Sequence, residues 1–399
     1  MSVSEDRMLP KEKAVRISEG KPAICDVSGF LSRVNECIRE RMSPEDILVY
    51  RGEPEVYDKP CRPNIFRRGV LSGNRFFEKN LFDAMRQNKL SGEERYLDNA
   101  IDAQHGEFPS RLLDVSYNCL TALYFAVTPY YHKDEDSKDE QDGMVYIFFF
   151  DELFSPSAGN TNAAYEAMIR QDREWYQGKS LFEKNHKFID HTKLNNRIVA
   201  QQGAFILFPG MEPESLPECM YCGIRIPGEA KPRIRQELKQ LFGIHTGSIY
   251  PEIINLVEEL SSKSRKINTE EFTCRNELRQ ALRLLERELG YYLEYALEQK
   301  RGGADHMEQI LMHIERVTDS YRTGILEVLR EAGKPAEEGQ ELLSIEERKA
   351  TIAGYNQLVE QFSQAAKSYD LGEFSGDALQ IYVNEGESSG SPEEAKEEI

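Results

Sequence analysis

Between Gln104 and Ala126 the chain reads QHGEFPSRLLDVSYNCLTALYFA, and polar side chains crowd one corner of an otherwise apolar segment. Leu112 to Ser116 predicts a short buried strand. From Asn118 the pattern turns helical, with Leu120, Leu123, Tyr124 and Val127 on one face. Asp114, Ser116 and Asn118 each offer an oxygen to cap that helix. The unpaired N–H groups and partial positive charge of a helix N-terminus also suit an anion. A plain alternative is a capped core helix with an internal Arg111–Asp114 ion pair. Arg51 is the second residue with chemical potential, because it ends the apolar strand Asp46–Tyr50, and strand ends often carry binding groups. There the alternative is an ordinary surface cation.

The elements that must position these groups follow from periodicity. Val27, Phe30, Leu31, Val34 and Ile38 predict a helix from Asp26 with one buried face. Helices are also expected at 76–85, 94–103 and 234–242. Gly143 to Phe150 is the strongest strand and is apolar enough to be central. Further strands are expected at 198–208 and 223–227, and residues 160–196 read as polar. The segment HKDEDSKDEQD at 132–142 predicts a mobile connector. Three amphipathic stripes follow residue 261, led by Leu278, Met307 and Ile352, and Gly302-Gly303 and Gly333-Lys334-Pro335 separate them. They must bury against each other, the first domain or a second copy of the chain. Residues 385–399, with six Glu and one Lys, predict an acidic disordered tail.

Composition narrows the function classes. The 399 residues suffice for two domains, or for one domain with a helical extension. The net charge of −19 argues against broad, sequence-independent nucleic-acid binding, yet Arg51, Arg62, Arg67, Arg68, Arg75 and Arg111 make the first blocks locally basic. No apolar run reaches membrane-spanning length. The N-terminal segment lacks the apolar core of a signal peptide, so a cytoplasmic location is expected. Of seven cysteines, only Cys219 and Cys222 have redox or zinc-ribbon spacing, and no second pair accompanies them. His186 and His191 lack an acidic partner motif, so no metal site is expected.

Three ordered blocks resemble the FRG domain family. Tyr50-Arg51-Gly52, followed by Pro63-Asn64-Ile65-Phe66-Arg67, matches the opening block. Gln104-His105, Pro109-Ser110-Arg111-Leu112-Leu113-Asp114 and Ala122-Leu123-Tyr124-Phe125-Ala126 match the central signature. Arg197 to Ile206 matches the closing block. Ser110 replaces the commoner Thr, and Glu107 stands where the family has Gly. The resemblance spans about residues 26–260 and implies an α+β fold with a mixed, mostly antiparallel sheet and flanking helices. The implied organisation is a flexible 1–25, an FRG domain over 26–260, an all-α helical domain over 261–372 and a tail over 373–399. Bacterial members recur in contexts of stress or phage defence.

A second, partial resemblance is to arginine-type ADP-ribosyltransferases, whose first-strand Arg holds NAD phosphates or ribose. Arg suits that task because its planar fork stays charged and binds phosphate oxygens in pairs. The two resemblances together imply NAD as cofactor. Arg51, Gly52, Arg67, Gln104, His105, Ser110, Arg111 and Gln201 are the implied binding residues, and Asp114, Gln202 and Glu107 the implied catalytic ones. Gln202 departs from the transferase pattern, which has Glu there. An amide can hydrogen-bond a ribose hydroxyl but cannot stabilise an oxocarbenium charge, so Asp114 or Glu107 must supply it, or the protein only binds. The expected geometry is one cleft lined by Arg51, Arg111, Asp114 and Gln202. Implied partners are a nucleotide, a protein or nucleic-acid acceptor, no membrane, and a second copy paired through the C-terminal helices. The rival reading is a non-catalytic recognition module joined to a helical oligomerisation domain.

Overall fold

A computed structural model describes residues 23–380 except 68, 91–94, 106–107, 129–137, 191–195, 213–214, 304–305 and 333–341, and it leaves out the side chains at 104, 105, 254 and 258. The expectations for Glu107, Arg68, His191, residues 1–22, most of the 132–142 connector, the 385–399 tail and the Gln104 and His105 side chains lie outside the described residues. The chain forms two compact units, 1–266 and 267–399.

In chain order the first unit runs α1 (Val27–Arg41), β1 (Ile47–Glu53), α2 (Asn64–Arg67), α3 (Val70–Gly73), α4 (Phe77–Gln87), α5 (Tyr96–His105), β2 (Leu112–Ser116) and α6 (Cys119–Val127). There follow β3 (Gly143–Phe150), α7 (Gly159–Arg170), β4 (Lys187–Ile189), α8 (Asn196–Gln201), β5 (Gly203–Leu207), β6 (Tyr221–Ile226), α9 (Lys231–Phe242), α10 (Thr246–Ile249) and α11 (Ile253–Ser264). The six strands form one sheet in the order β4-β5-β2-β1-β3-β6, and all its ladders are antiparallel. The α+β architecture implied by the sequence is present.

Strand alternation sorts the side chains between two faces. Val145, Ile147 and Phe149 pack with Tyr50, α1, α6 and α9, whereas Tyr146, Phe148 and Phe150 pack with Val49, Leu113, Val115 and Phe66. Both faces of β3 are therefore covered, which explains its unbroken apolar run. Helix α6 lies directly on the sheet, because a Cβ on Gly52 would stand 1.8 Å from the Ala122 carbonyl oxygen and one on Gly143 2.4 Å from that of Ala126. A third cluster joins α4, α5 and α7 to Leu112, Phe205 and Leu207. Tyr50 faces Ser116 in register, so this cluster shares the α6 face of the sheet.

Three expectations need correction. The strand expected from Ile198 begins only at Gly203, because residues 196–201 are helical and Gln202, at φ 48°, turns the chain into β5. Periodicity cannot separate helix from strand in so short an apolar run. Residues 160–196 are not merely polar, since Tyr165, Met168 and Ile169 of α7 are core. Phe374 and Leu379, assigned to the disordered tail, are buried.

The second unit holds α12 (Cys274–Arg301), α13 (Met307–Ala332) and α14 (Ile345–Ser368). Leu285, Leu289, Ile314, Leu329, Tyr355 and Phe362 make one shared core, so the three stripes do meet each other. The chain then folds back. The Phe374 ring meets Phe362 at 4.8 Å, and Asn356 holds both backbone polar groups of Leu379 at 2.7 and 3.0 Å. No described helix is long and apolar enough to cross a membrane.

Candidate functional site

Strands β1 and β2 share a single register pair, Tyr50 with Ser116, and then part. Arg51 stands in the opening. Its Nη1 donates to the Asp114 carbonyl at 2.7 Å and its Nε to Glu53 Oε1 at 3.2 Å. Glu53, 1% exposed, also accepts from Arg67 Nη2 at 2.7 Å and from the Cys61 amide at 3.2 Å. Two guanidinium groups thus share one buried carboxylate, and the cluster keeps a net positive charge. Burial works against the Arg51 charge, but Glu53, Cys61 and Asp114 together raise the pKa. Burial, reinforced by Glu53, pushes the Cys61 thiol well up, so it stays protonated and is no nucleophile. Arg67 also lies over the Tyr57 ring, 4.5 Å from its centroid.

Asp114 lies on the sheet face opposite Arg51, between Leu112 and Ser116. It is the one exposed residue of β2, at the seam between the α6 cluster and the cluster of α4, α5 and α7. Desolvation by the protein around it pushes its carboxyl up, against the pull of Arg51 and Arg197. Arg197 pairs with Glu252 at 2.7 Å and lies 4.9 Å from the centre of the Tyr250 ring.

Arg111 and Ser110 have a different place. Arg111 is 0% exposed, with Nε 2.6 Å from Glu78 Oε2 and Nη1 donating to the Pro209 and Gly210 carbonyls at 3.2 and 3.0 Å. Tyr165 donates its hydroxyl to the other Glu78 oxygen at 2.6 Å. Ser110 Oγ accepts from the Leu112 amide at 3.2 Å, inside the same core. The expected Arg111–Asp114 pair does not form, because Glu78 and the Pro209 and Gly210 carbonyls take the Arg111 guanidinium instead. Gly52 faces α6 and has no room for a ligand.

The fold therefore does not line one cleft with Arg51, Arg111, Asp114 and Gln202. It brings Arg51 to Arg67, with Asp114 across the strand opening. Gln201 and Gln202 brace the far end of β2: Ser116 Oγ donates to the Gln201 carbonyl at 2.7 Å, and the Tyr117 amide to that of Gln202 at 2.9 Å. The Gln201 amide donates to the Ile249 carbonyl at 3.2 Å, while the Gln202 side chain is exposed. Of the capping candidates, Asn118 caps α6, accepting from Leu120 N at 2.9 Å.

The family model of the FRG domain matches residues 46–135, from the start of β1 to just past α6. The chain carries an FRG domain. No curated protein and no solved structure matches it significantly. The match holds both strands of the opening and the Arg51–Glu53–Arg67 cluster, whereas β3 to β6 complete the sheet beyond it. Sequence reading of the FRG domain missed Glu53, although it lies two residues after Arg51 on the same face of β1. That i, i+2 spacing was the available signal. Among the described residues no group of His, Cys, Asp or Glu could hold a metal. Cys219 is exposed and Cys222 buried, both as free thiols.

Proposed function

We propose that the FRG domain binds a nucleotide, with NAD the leading candidate, and that Arg51 and Arg67 hold its phosphates. The carrying observation is the cluster at the open end of β1: two partly exposed guanidinium groups share one buried carboxylate. Guanidinium groups so held are pre-organised for paired hydrogen bonds to phosphate oxygens. Transferase chemistry at a ribose needs a nearby negative charge. Asp114 is the described carboxylate that can supply it, since it is exposed beside the opening and its charge reaches Arg51. A neutral Gln202 limits that chemistry to whatever Asp114 provides. The wider reading is a defence or stress effector of the bacterial cytoplasm, with a protein or nucleic-acid acceptor and self-association through the helical unit.

Calorimetric titration of NAD into the full-length protein tests the binding. Arg51→Lys keeps the charge but loses the paired geometry, and should weaken binding. Arg51→Ala should cost about 1.5–3 kcal/mol, the worth of a hydrogen bond to a charged group. Because Arg51 also ties β1 to the Asp114 carbonyl, each variant must first show wild-type thermal unfolding. Unchanged affinity in both folded variants overturns the assignment. Incubation with labelled NAD then separates the readings: nicotinamide release that Asp114→Asn abolishes supports transferase chemistry, and binding without release supports the recognition module.

A further inference from the structure

We infer that the ligand of the Arg51–Arg67 cluster is a phosphate ester that also carries a hydroxyl, and that this hydroxyl donates to Glu53 Oε2. The inference rests on the nucleotide reading and narrows it. Glu53 Oε1 is saturated by three donors, namely Arg51 Nε, Arg67 Nη2 and the Cys61 amide. Its partner oxygen, Oε2, is buried and has no hydrogen-bond donor among the described residues. A buried carboxylate oxygen without a donor is costly, and such an atom ordinarily marks a missing water or ligand group.

Tyr146 faces Arg51 in the β1–β3 register and so stands beside the same cluster. The residue is only 4% exposed, and its ring packs with Phe148 and Tyr221. One buried acceptor is thus unsatisfied beside two cations. Inorganic phosphate would satisfy the cations, but a P–OH that it keeps at neutral pH would bring the ion's negative charge directly against Glu53. A ribosyl phosphate supplies both parts: phosphate oxygens for Arg51 and Arg67, and a sugar hydroxyl for Oε2.

The test titrates full-length wild-type protein with ADP-ribose, with ADP-ribose analogues lacking the hydroxyls of either ribose, and with inorganic pyrophosphate. At least one hydroxyl-deficient analogue should bind about tenfold or more weakly than ADP-ribose, as expected for a lost hydrogen bond to a charged group, and pyrophosphate should also be weaker. Analogues that all equal ADP-ribose overturn the inference while leaving the nucleotide reading intact. Absence of binding by every nucleotide overturns both. Glu53→Gln should shrink the discrimination between ADP-ribose and the weakened analogue while binding persists. Discrimination that stays full in a folded Glu53→Gln protein also overturns the inference. If that variant does not fold, the wild-type analogue series alone decides.

Discussion

Glu78→Ala should destabilise the first unit by about 3–5 kcal/mol, the cost of breaking a buried ion pair by removing one partner. The magnitude follows from what the carboxylate holds. Oε2 takes Arg111 Nε at 2.6 Å, and Oε1 takes the Tyr165 hydroxyl at 2.6 Å and the Arg111 amide at 3.3 Å. Glu78, Arg111 and Tyr165 are all at most 1% exposed, so water cannot replace the lost partner. Desolvation alone would lower the Arg111 pKa, and Glu78 reverses that, so removal leaves an uncompensated buried cation. Tyr165→Phe should cost less, about 1.5–3 kcal/mol for one bond to a charged group. The triple variant Glu78→Leu, Arg111→Met, Tyr165→Phe should recover most of the loss, because an apolar replacement of a buried pair is often neutral. The Pro209 and Gly210 carbonyls would still lose their donor.

Urea unfolding followed by tryptophan emission is the assay. The only tryptophan, Trp175, lies in the first unit and packs edge-on against Tyr176 and Phe182 at 5.2 and 4.9 Å, so it reports that unit. A loss below about 1 kcal/mol for Glu78→Ala would refute the account of Arg111 as a core residue. So would single-variant losses that simply add up to the triple, since groups sharing one network must couple.

Other outcomes follow from the same coordinates. Gly52→Ala forces a methyl to 1.8 Å from the Ala122 carbonyl oxygen and should cost at least about 2 kcal/mol by Trp175 unfolding; a neutral substitution would mean that α6 does not lie on β1. Burial holds the His245 imidazole below its ordinary 6.5, so its contribution is present above that pH and is lost as pH falls through the lowered value; His245→Asn should flatten this part of the stability profile. Truncation after about residue 266 should leave a monomer by light scattering; a full chain that runs as a dimer would place self-association in the helical unit, and a full-length monomer across micromolar concentrations would rule it out.

How much was legible differs between fold and site. Strands β1, β2, β3 and β6 and helices α1, α4, α5, α6 and α9 follow from periodicity and capping, because each has one decisive pattern. The α7 segment hid its core residues among polar neighbours, and α8 carried an apolar run that either structure could use. The fold-back at Phe374 was invisible because two buried residues in an acidic context give no period. Their contacts are with the preceding helix, Phe374 on Phe362 and Leu379 on Asn356 of α14, within the core shared by three helices.

The site was less legible, for a physical reason seen in Arg51 and Arg111. Both are arginines in signature blocks, and both carry a raised pKa because desolvation is overcome by neighbours led by a carboxylate. The carboxylate of Arg51 is two residues away on the same strand face, whereas that of Arg111 is 33 residues away on another element. Only the first pairing can be read from spacing. What separates a binding cation from a structural one is then stoichiometry. Glu78 meets one arginine and fills its second oxygen with Tyr165, so that network is closed. Glu53 meets two arginines and leaves an oxygen unfilled, so that network is open to a further group. A ligand that completed it would satisfy the charge and the lone pair together, whereas at Arg111 nothing remains to be satisfied. Arg111→Met should therefore leave NAD affinity unchanged in protein that still folds, and a large affinity loss there would place the site at the wrong arginine.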